Sequence, residues 1–269
     1  MRPAYRAVRY GARGPMNPLV RVFSPAQEFE SAAAHEIARA AGAAIRDRGL
    51  AVLALSGGET PRTVYRRLAV LPTDAQPDWT AVHLLFGDER LVPYDDPQSN
   101  YGMVRQELLS RIAIPEANIH SVPTAMAPPD AARAYAADLR TLLARAGGRC
   151  DLVLLGLGED GHTASLFPGA DALSISKEEA SAVYAPALKS WRVTVTLPVI
   201  NTARRVLFLV AGMRKALVVR QVLRAREPVP SLPATLIRPT EGELIWFLDS
   251  DAASSLEPAE QMSPGRPAS

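Results

Sequence analysis

One cysteine, Cys150, stands among 269 residues, which excludes an intrachain disulfide and any cysteine metal cluster built within one chain. A lone thiol can also serve as a nucleophile. Cys150, however, sits just before the apolar run Leu152-Val153-Leu154-Leu155, where a buried structural side chain is expected. Histidine is scarce too: His35, His83, His120 and His162 lie far apart, with no pair at metal-ligand spacing, so no metal is expected. No run of about 18 apolar residues occurs, so no membrane-spanning helix is expected. The first fifteen residues carry Arg2, Arg6, Arg9 and Arg13 without an apolar core, unlike a secretory signal. Lysine occurs only at 177, 189 and 215 among 30 basic residues, and the net charge of +2 is too small to argue for nucleic acid. A cytoplasmic location is the default reading.

What is present is an ordinary globular composition, 48% hydrophobic and 22% charged. The length suits a single α/β domain, expected over 18–250. Residues 1–17 are expected to be an unstructured extension, or the first fifteen to be an artefact of a start placed upstream of Met16. The tail 251–269, rich in Ala, Ser and Pro, is expected to be unstructured as well.

Between these ends, helical and strand patterns alternate. Ser24-Pro25 is expected to open a helix with Ser24 as N-cap. Phe29, Ala33, Ile37, Ala40, Ala41 and Ala44 then recur at helical spacing up to Gly49. The apolar runs at 51–55, 82–86, 152–155 and 206–210 read as strands buried on both faces. Residues 193–197 alternate as a strand does, and 244–248 form a last one. Helices are expected from Pro61, over 130–146 and over 213–225. This order predicts an α/β fold: a three-layer, open, mostly parallel, Rossmann-like sheet covered by helices on both faces. Such sheets bind ligands beyond the carboxyl ends of their strands, which directs attention to four loops.

The loop Ser56-Gly57-Gly58-Glu59-Thr60-Pro61 follows the first buried strand. Its glycines allow close approach of a ligand, and a helix start beyond it, with Thr60 as a candidate cap, suits a phosphate. It is not a Walker loop, since no Gly-Lys-Ser/Thr follows. In Gly87-Asp88-Glu89-Arg90, Arg90 either forks onto an anion or pairs with a neighbouring carboxylate in an exposed turn. In Gly156-Leu157-Gly158-Glu159-Asp160-Gly161-His162, the histidine has an acid two residues away and is the best candidate for a proton shuttle. Ser165 lacks the Gly-x-Ser-x-Gly elbow of a serine hydrolase. Finally, Lys215 in Ala211-Gly212-Met213-Arg214-Lys215 falls where the helix dipole disfavours a cation, so it either faces an anion or is simply solvated.

Taken together these segments resemble the 6-phosphogluconolactonase family, within the glucosamine-6-phosphate isomerase/deaminase-like fold. The resemblance is carried by Leu55-Ser56-Gly57-Gly58-Glu59-Thr60-Pro61, Gly87-Asp88-Glu89-Arg90-Leu91-Val92-Pro93, Ser99-Asn100-Tyr101, the stretch from Gly158 to Gly169, Arg192, Gly212-Met213-Arg214-Lys215-Ala216 and Trp246-Phe247-Leu248-Asp249. It runs from about residue 20 to 250. It implies hydrolysis of 6-phospho-D-glucono-1,5-lactone in the oxidative pentose phosphate pathway, without metal or organic cofactor. His162 would be the general base and Asp160 its support. Ser56, Gly57, Gly58, Thr60, Asp88, Arg90, Arg192 and Lys215 would surround the substrate. The partner implied is the phosphosugar lactone alone, with no nucleic acid and no membrane, and the protein would be a monomer or small homo-oligomer.

Two rivals remain on the sequence. The sister amino-sugar phosphate deaminases carry Asp-Gly-His followed by Ile-Ala-Phe-Asn-Glu-Pro, whereas 163–168 here lacks the second carboxylate. They also have Asp-Glu-Tyr in place of Asp88-Glu89-Arg90. A sugar-phosphate-sensing regulator would need an N-terminal helix-turn-helix, and the stretch before Val20 is too short for one.

Overall fold

The computed structural model describes residues 5–9 and 18–256. In chain order the strands are β1 (Tyr5–Arg9), β2 (Leu19–Phe23), β3 (Ala51–Leu55), β4 (Val82–Phe86), β5 (Asp88–Arg90), β6 (Ile119–His120), β7 (Leu152–Leu155), β8 (Ala180–Ala185), β9 (Ser190–Val195), β10 (Arg205–Val210) and β11 (Glu243–Asp249). The α-helices are α1 (Ala26–Arg48), α2 (Glu59–Ala69), α3 (Asn100–Glu107), α4 (Pro128–Arg145), α5 (Leu197–Thr202) and α6 (Ala216–Arg224). Eight strands form one sheet in the order β1-β2-β11-β10-β7-β3-β4-β6. All neighbours in it pair in parallel except the edge strand β1, which runs antiparallel to β2.

The central strands are almost wholly apolar because both faces are covered. Alternate residues point to opposite sides, so Val52, Ala54, Val153, Leu155, Val206 and Phe208 enter one core. Ala51, Leu53, Leu55, Leu152, Leu154 and Leu207 enter the other, against α1 and α2. Each fully buried Leu, Val or Phe contributes about 1.5–3 kcal/mol, which is why single polar substitutions in these runs would be severe. Cys150 is wholly buried, and burial pushes its thiol up to about 12, as befits a structural side chain. Among the described residues no helix is long and apolar enough to cross a membrane.

Several expectations are corrected. Pro25 rather than Ser24 occupies the N-cap of α1, with no side-chain cap bond. The acidic Glu28 in the first turn supplies the dipole complement instead. Gly49 does close that helix, at a φ of 79°. Gly58, not Thr60, is the N-cap of α2. The strand read at 193–197 covers Ser190–Val195 and leaves the main sheet, pairing with β5 and β8 in a small antiparallel sheet. The expected unstructured extension holds β1, whose backbone ladder to β2 extends the edge of the sheet. Of the tail, 251–256 folds back: the Asp249 carboxylate accepts from Ala252 N–H at 2.7 Å, and Ala252 and Leu256 are buried. The rest of both expected extensions lies outside the described residues.

Candidate active site

Four adjacent strands, β10, β7, β3 and β4, end in loops along one edge of the sheet. From β3 the chain moves outward through β4 and β6, then returns to lay β7 on the opposite side of β3. This reversal opens a crevice between the loops that follow β3 and β7, where doubly wound sheets hold ligands. A cleft of about 380 Å³ occupies it. Ser56, Gly57, Gly58 and Thr60 line it from the first loop, Asp88 and Arg90 from β5, Arg192 from β9, Gly156, Gly158 and His162 from the third loop, and Lys215 from the fourth. Every substrate-binding candidate therefore meets in one place. Asp160 is not among the lining residues and stands beside His162.

The histidine is held by a tight turn. Gly158 N–H donates to the His162 carbonyl at 2.8 Å, and Gly161 N–H to the Gly158 carbonyl at 3.1 Å. Asp160 Oδ1 accepts from His162 N–H at 3.1 Å and lies 2.5 Å from His162 Nδ1. Burial opposes ionisation of Asp160, but the backbone and ring donors of His162 outweigh it and hold the carboxyl below its usual range. In the tautomer that carries its proton on Nδ1, the ring donates to this carboxylate and Nε2 holds the lone pair. The ring packs on Phe167, with centroids 4.7 Å apart. Gly158 is required by close approach: a Cβ there would lie 2.1 Å from His162 Nδ1.

The loop after β3 is pinned from behind. Tyr65 of α2 is wholly buried; its hydroxyl donates to the Ser56 carbonyl at 2.8 Å and accepts from Ser56 N–H at 2.9 Å. Burial raises that phenol well above its ordinary range, so it stays a donor. Tyr135 of α4 does the same for Phe86 at the end of β4, with both bonds at 2.8 Å. Gly57 packs so tightly on Asn100 that a Cβ would fall 1.9 Å from Asn100 Oδ1. Beyond it, α2 starts without a side-chain cap, so its first-turn N–H groups lack intrahelical acceptors where the cleft needs anion donors.

Beneath the cleft lies a buried acidic pair, Asp88 and Glu89. Glu89 is almost wholly buried, and burial raises its carboxyl. It accepts from the backbone N–H of Arg90, Asn100 and Tyr101 at 2.7–2.8 Å and from Ser99 Oγ at 3.2 Å. These bonds fasten the start of α3 to β5. Asp88 accepts from Ser165 Oγ at 2.7 Å and from Asn100 Nδ2 at 3.3 Å, with Arg192 Nη1 at 3.7 Å. Burial lowers Arg192 from its usual range, Asp88 pulling the other way, and its guanidinium lies 5.6 Å from the Phe167 ring centroid. Arg90 donates through Nη1 to the Gln98 carbonyl. The buried Nε atoms of Arg90 and Arg192 find no hydrogen-bond partner among the described residues.

Sequence reasoning missed Tyr65, Asn100 and the supporting roles of Glu89 and Tyr135. Ser165 was noticed for the wrong reason: it is wholly buried and donates to a carboxylate, so it is no nucleophile. Asn100 did carry a signal, since Ser99-Asn100-Tyr101 stood among the family-like segments. Among the described residues no group of three or more His, Cys, Asp or Glu is placed to hold a metal ion.

Comparison with known proteins follows the same lines. The family model described as glucosamine-6-phosphate isomerases/6-phosphogluconolactonase matches residues 24–246. The chain is 43% identical over 219 residues to a 6-phosphogluconolactonase of Synechocystis, covering 80% of this chain and 88% of the relative. It is 40% identical over 251 residues to the 6-phosphogluconolactonase of Homo sapiens, covering 88% and 93%. The solved 6-phosphogluconolactonase of Trypanosoma brucei superposes with a TM-score of 0.77 at 31% identity, covering 90% of this chain and all of that one.

Proposed function

The chain belongs to the family of glucosamine-6-phosphate isomerases and 6-phosphogluconolactonases, and on that premise we propose how its residues divide the work of its reaction. That reaction is the hydrolysis of 6-phospho-D-glucono-1,5-lactone to 6-phospho-D-gluconate, in the oxidative pentose phosphate pathway. The 6-phosphate seats on the Ser56–Thr60 turn and the uncapped start of α2, with Arg90, Arg192 and Lys215 supplying positive charge. The lactone carbonyl then faces His162 across the cleft.

His162 Nε2 takes a proton from water as the water oxygen bonds to the lactone carbonyl carbon. Asp160 stabilises the imidazolium so formed through the Nδ1 bond. The tetrahedral intermediate collapses by breaking the carbon–ring-oxygen bond. The ring oxygen leaves with the proton from Nε2, becoming the free hydroxyl of the opened acid. A sugar lactone is already an activated ester, so a positioned base and backbone N–H donors of the glycine-rich loop toward the developing oxyanion suffice, and no covalent nucleophile is required.

The observation that carries this reading is His162, its Nδ1 held 2.5 Å from Asp160, on the wall of a cleft that Arg90, Arg192 and Lys215 also line. The test measures phospholactone hydrolysis with the spontaneous rate subtracted, alongside ammonia release from glucosamine-6-phosphate. Lactone turnover without ammonia is expected. His162→Ala should lower kcat by about 10²–10⁴-fold with an unchanged melting profile. Wild-type kcat in that variant would remove His162 from the chemistry.

A further inference from the structure

Behind the cleft, two groups compete for one oxygen. Asp88 Oδ2 accepts the Ser165 hydroxyl at 2.7 Å, while Arg192 Nη1 stands 3.7 Å from the same atom, beyond hydrogen-bond range. The other oxygen, Oδ1, has Asn100 Nδ2 at 3.3 Å. Ser165 and Thr194 are wholly buried, and Asp88 and Arg192 nearly so. An aspartate and an arginine this close and this dry would ordinarily close into a direct, charge-assisted pair. Here they do not, and Arg192 Nε is left without a hydrogen-bond partner among the described residues.

We propose that Ser165 is a positioning residue that keeps Arg192 available to the substrate anion by occupying the oxygen of Asp88 that would otherwise capture it. The inference rests on the reading of Arg192 as a phosphate ligand. Ser165 is itself held in place: its N–H donates to Thr194 Oγ1 at 3.2 Å. The preceding Ala164 adopts a φ of 49°, which non-glycine residues rarely do, within a turn closed by the Thr163–Leu166 bridge. The same short segment thus carries the base, His162, and the side chain that governs the anchor. Removing the hydroxyl leaves Oδ2 buried without its neutral donor. Arg192 then closes the remaining distance and spends on Asp88 the donors that an incoming anion needs.

The test uses the full-length enzyme with Ser165→Ala, Arg192→Met and the double variant. Each is assayed for KM and kcat on the phospholactone and for binding of inorganic phosphate by calorimetry. Ser165→Ala is expected to raise KM and weaken phosphate binding by roughly tenfold, the scale of one hydrogen bond to a charged group. Its kcat should change far less than its KM. Because Ser165 acts through Arg192, the double variant should be no weaker in KM or phosphate affinity than Arg192→Met alone. An unchanged KM in Ser165→Ala, or additive losses in the double variant, would overturn the proposal. If Arg192→Met alone leaves KM and phosphate binding unchanged, the reading of Arg192 falls instead. Should Ser165→Ala not fold, Ser165→Cys keeps the volume with a weaker donor. It should raise KM in the same direction, and only while Arg192 is present.

Discussion

Replacing Gly158 by alanine separates the chemistry of this site from its stability. The Cβ of an alanine at 158 would lie 2.1 Å from His162 Nδ1, 2.3 Å from Cε1 and 2.6 Å from Asp160 Oδ1. Non-bonded heavy atoms need roughly 3.5 Å, so the imidazole must retreat by more than an ångström and part from its carboxylate. The backbone at 158 is not in the left-handed region, and alanine suits it. Side chains of His162 and Asp160 are 29% and 52% exposed, so they can swing outward without disturbing the core. A misplacement of about 1 Å in a reacting group costs on the order of a hundredfold, and kcat should fall by that factor. Gly158 itself is buried, so the added methyl should cost no more than about 1–3 kcal/mol, the range of overpacking. The melting temperature should then fall by no more than about 12 °C, with the fold intact. The assay is lactone hydrolysis at saturating substrate, corrected for spontaneous opening, beside calorimetric melting. A kcat within threefold of wild type would refute the claim that the observed ring position is the working one.

Arg90→Ala should chiefly raise KM, because contacts to a non-reacting phosphate act as uniform binding; a fall in kcat at constant KM would contradict that role. Tyr65→Phe strips the Ser56 N–H and carbonyl of their buried partner and should cost about 1–3 kcal/mol in urea denaturation, an unchanged midpoint counting against it. Acid should destabilise the fold through His83, which burial, His120 and Arg145 drive down to about 4 against the pull of Asp138. Above the unfolded value near 6.5 the ring is neutral in both states. Between about 6.5 and 4 the unfolded chain takes a proton that the folded chain refuses, so stability falls with pH across that window. The denaturation midpoint of His83→Gln should depend less steeply on pH there; an identical slope would exonerate His83.

What was legible in the sequence depended on local pattern. Apolar runs, interrupted only by His83 in β4, marked β3, β4, β7 and β10, because only strands covered on both faces have them. A sheet of such strands directs function to the loops that follow, and all four loops chosen on that ground line one cleft. β5, three residues of Asp, Glu and Arg, has no periodicity to read, and without it the antiparallel sheet bearing Arg192 could not be foreseen.

By itself, then, the sequence determined the layered parallel sheet and its ligand-bearing edge and singled out His162 as the candidate base, since these follow from patterning within a few residues. Only the tertiary structure decided how that base and its anchors are held. Ser165 reaches Asp88 across 77 residues and Tyr135 reaches Phe86 across 49. No local spacing encodes such bonds. They exist because the packed sheet brings distant polar groups into a dry interior, where each must find a partner.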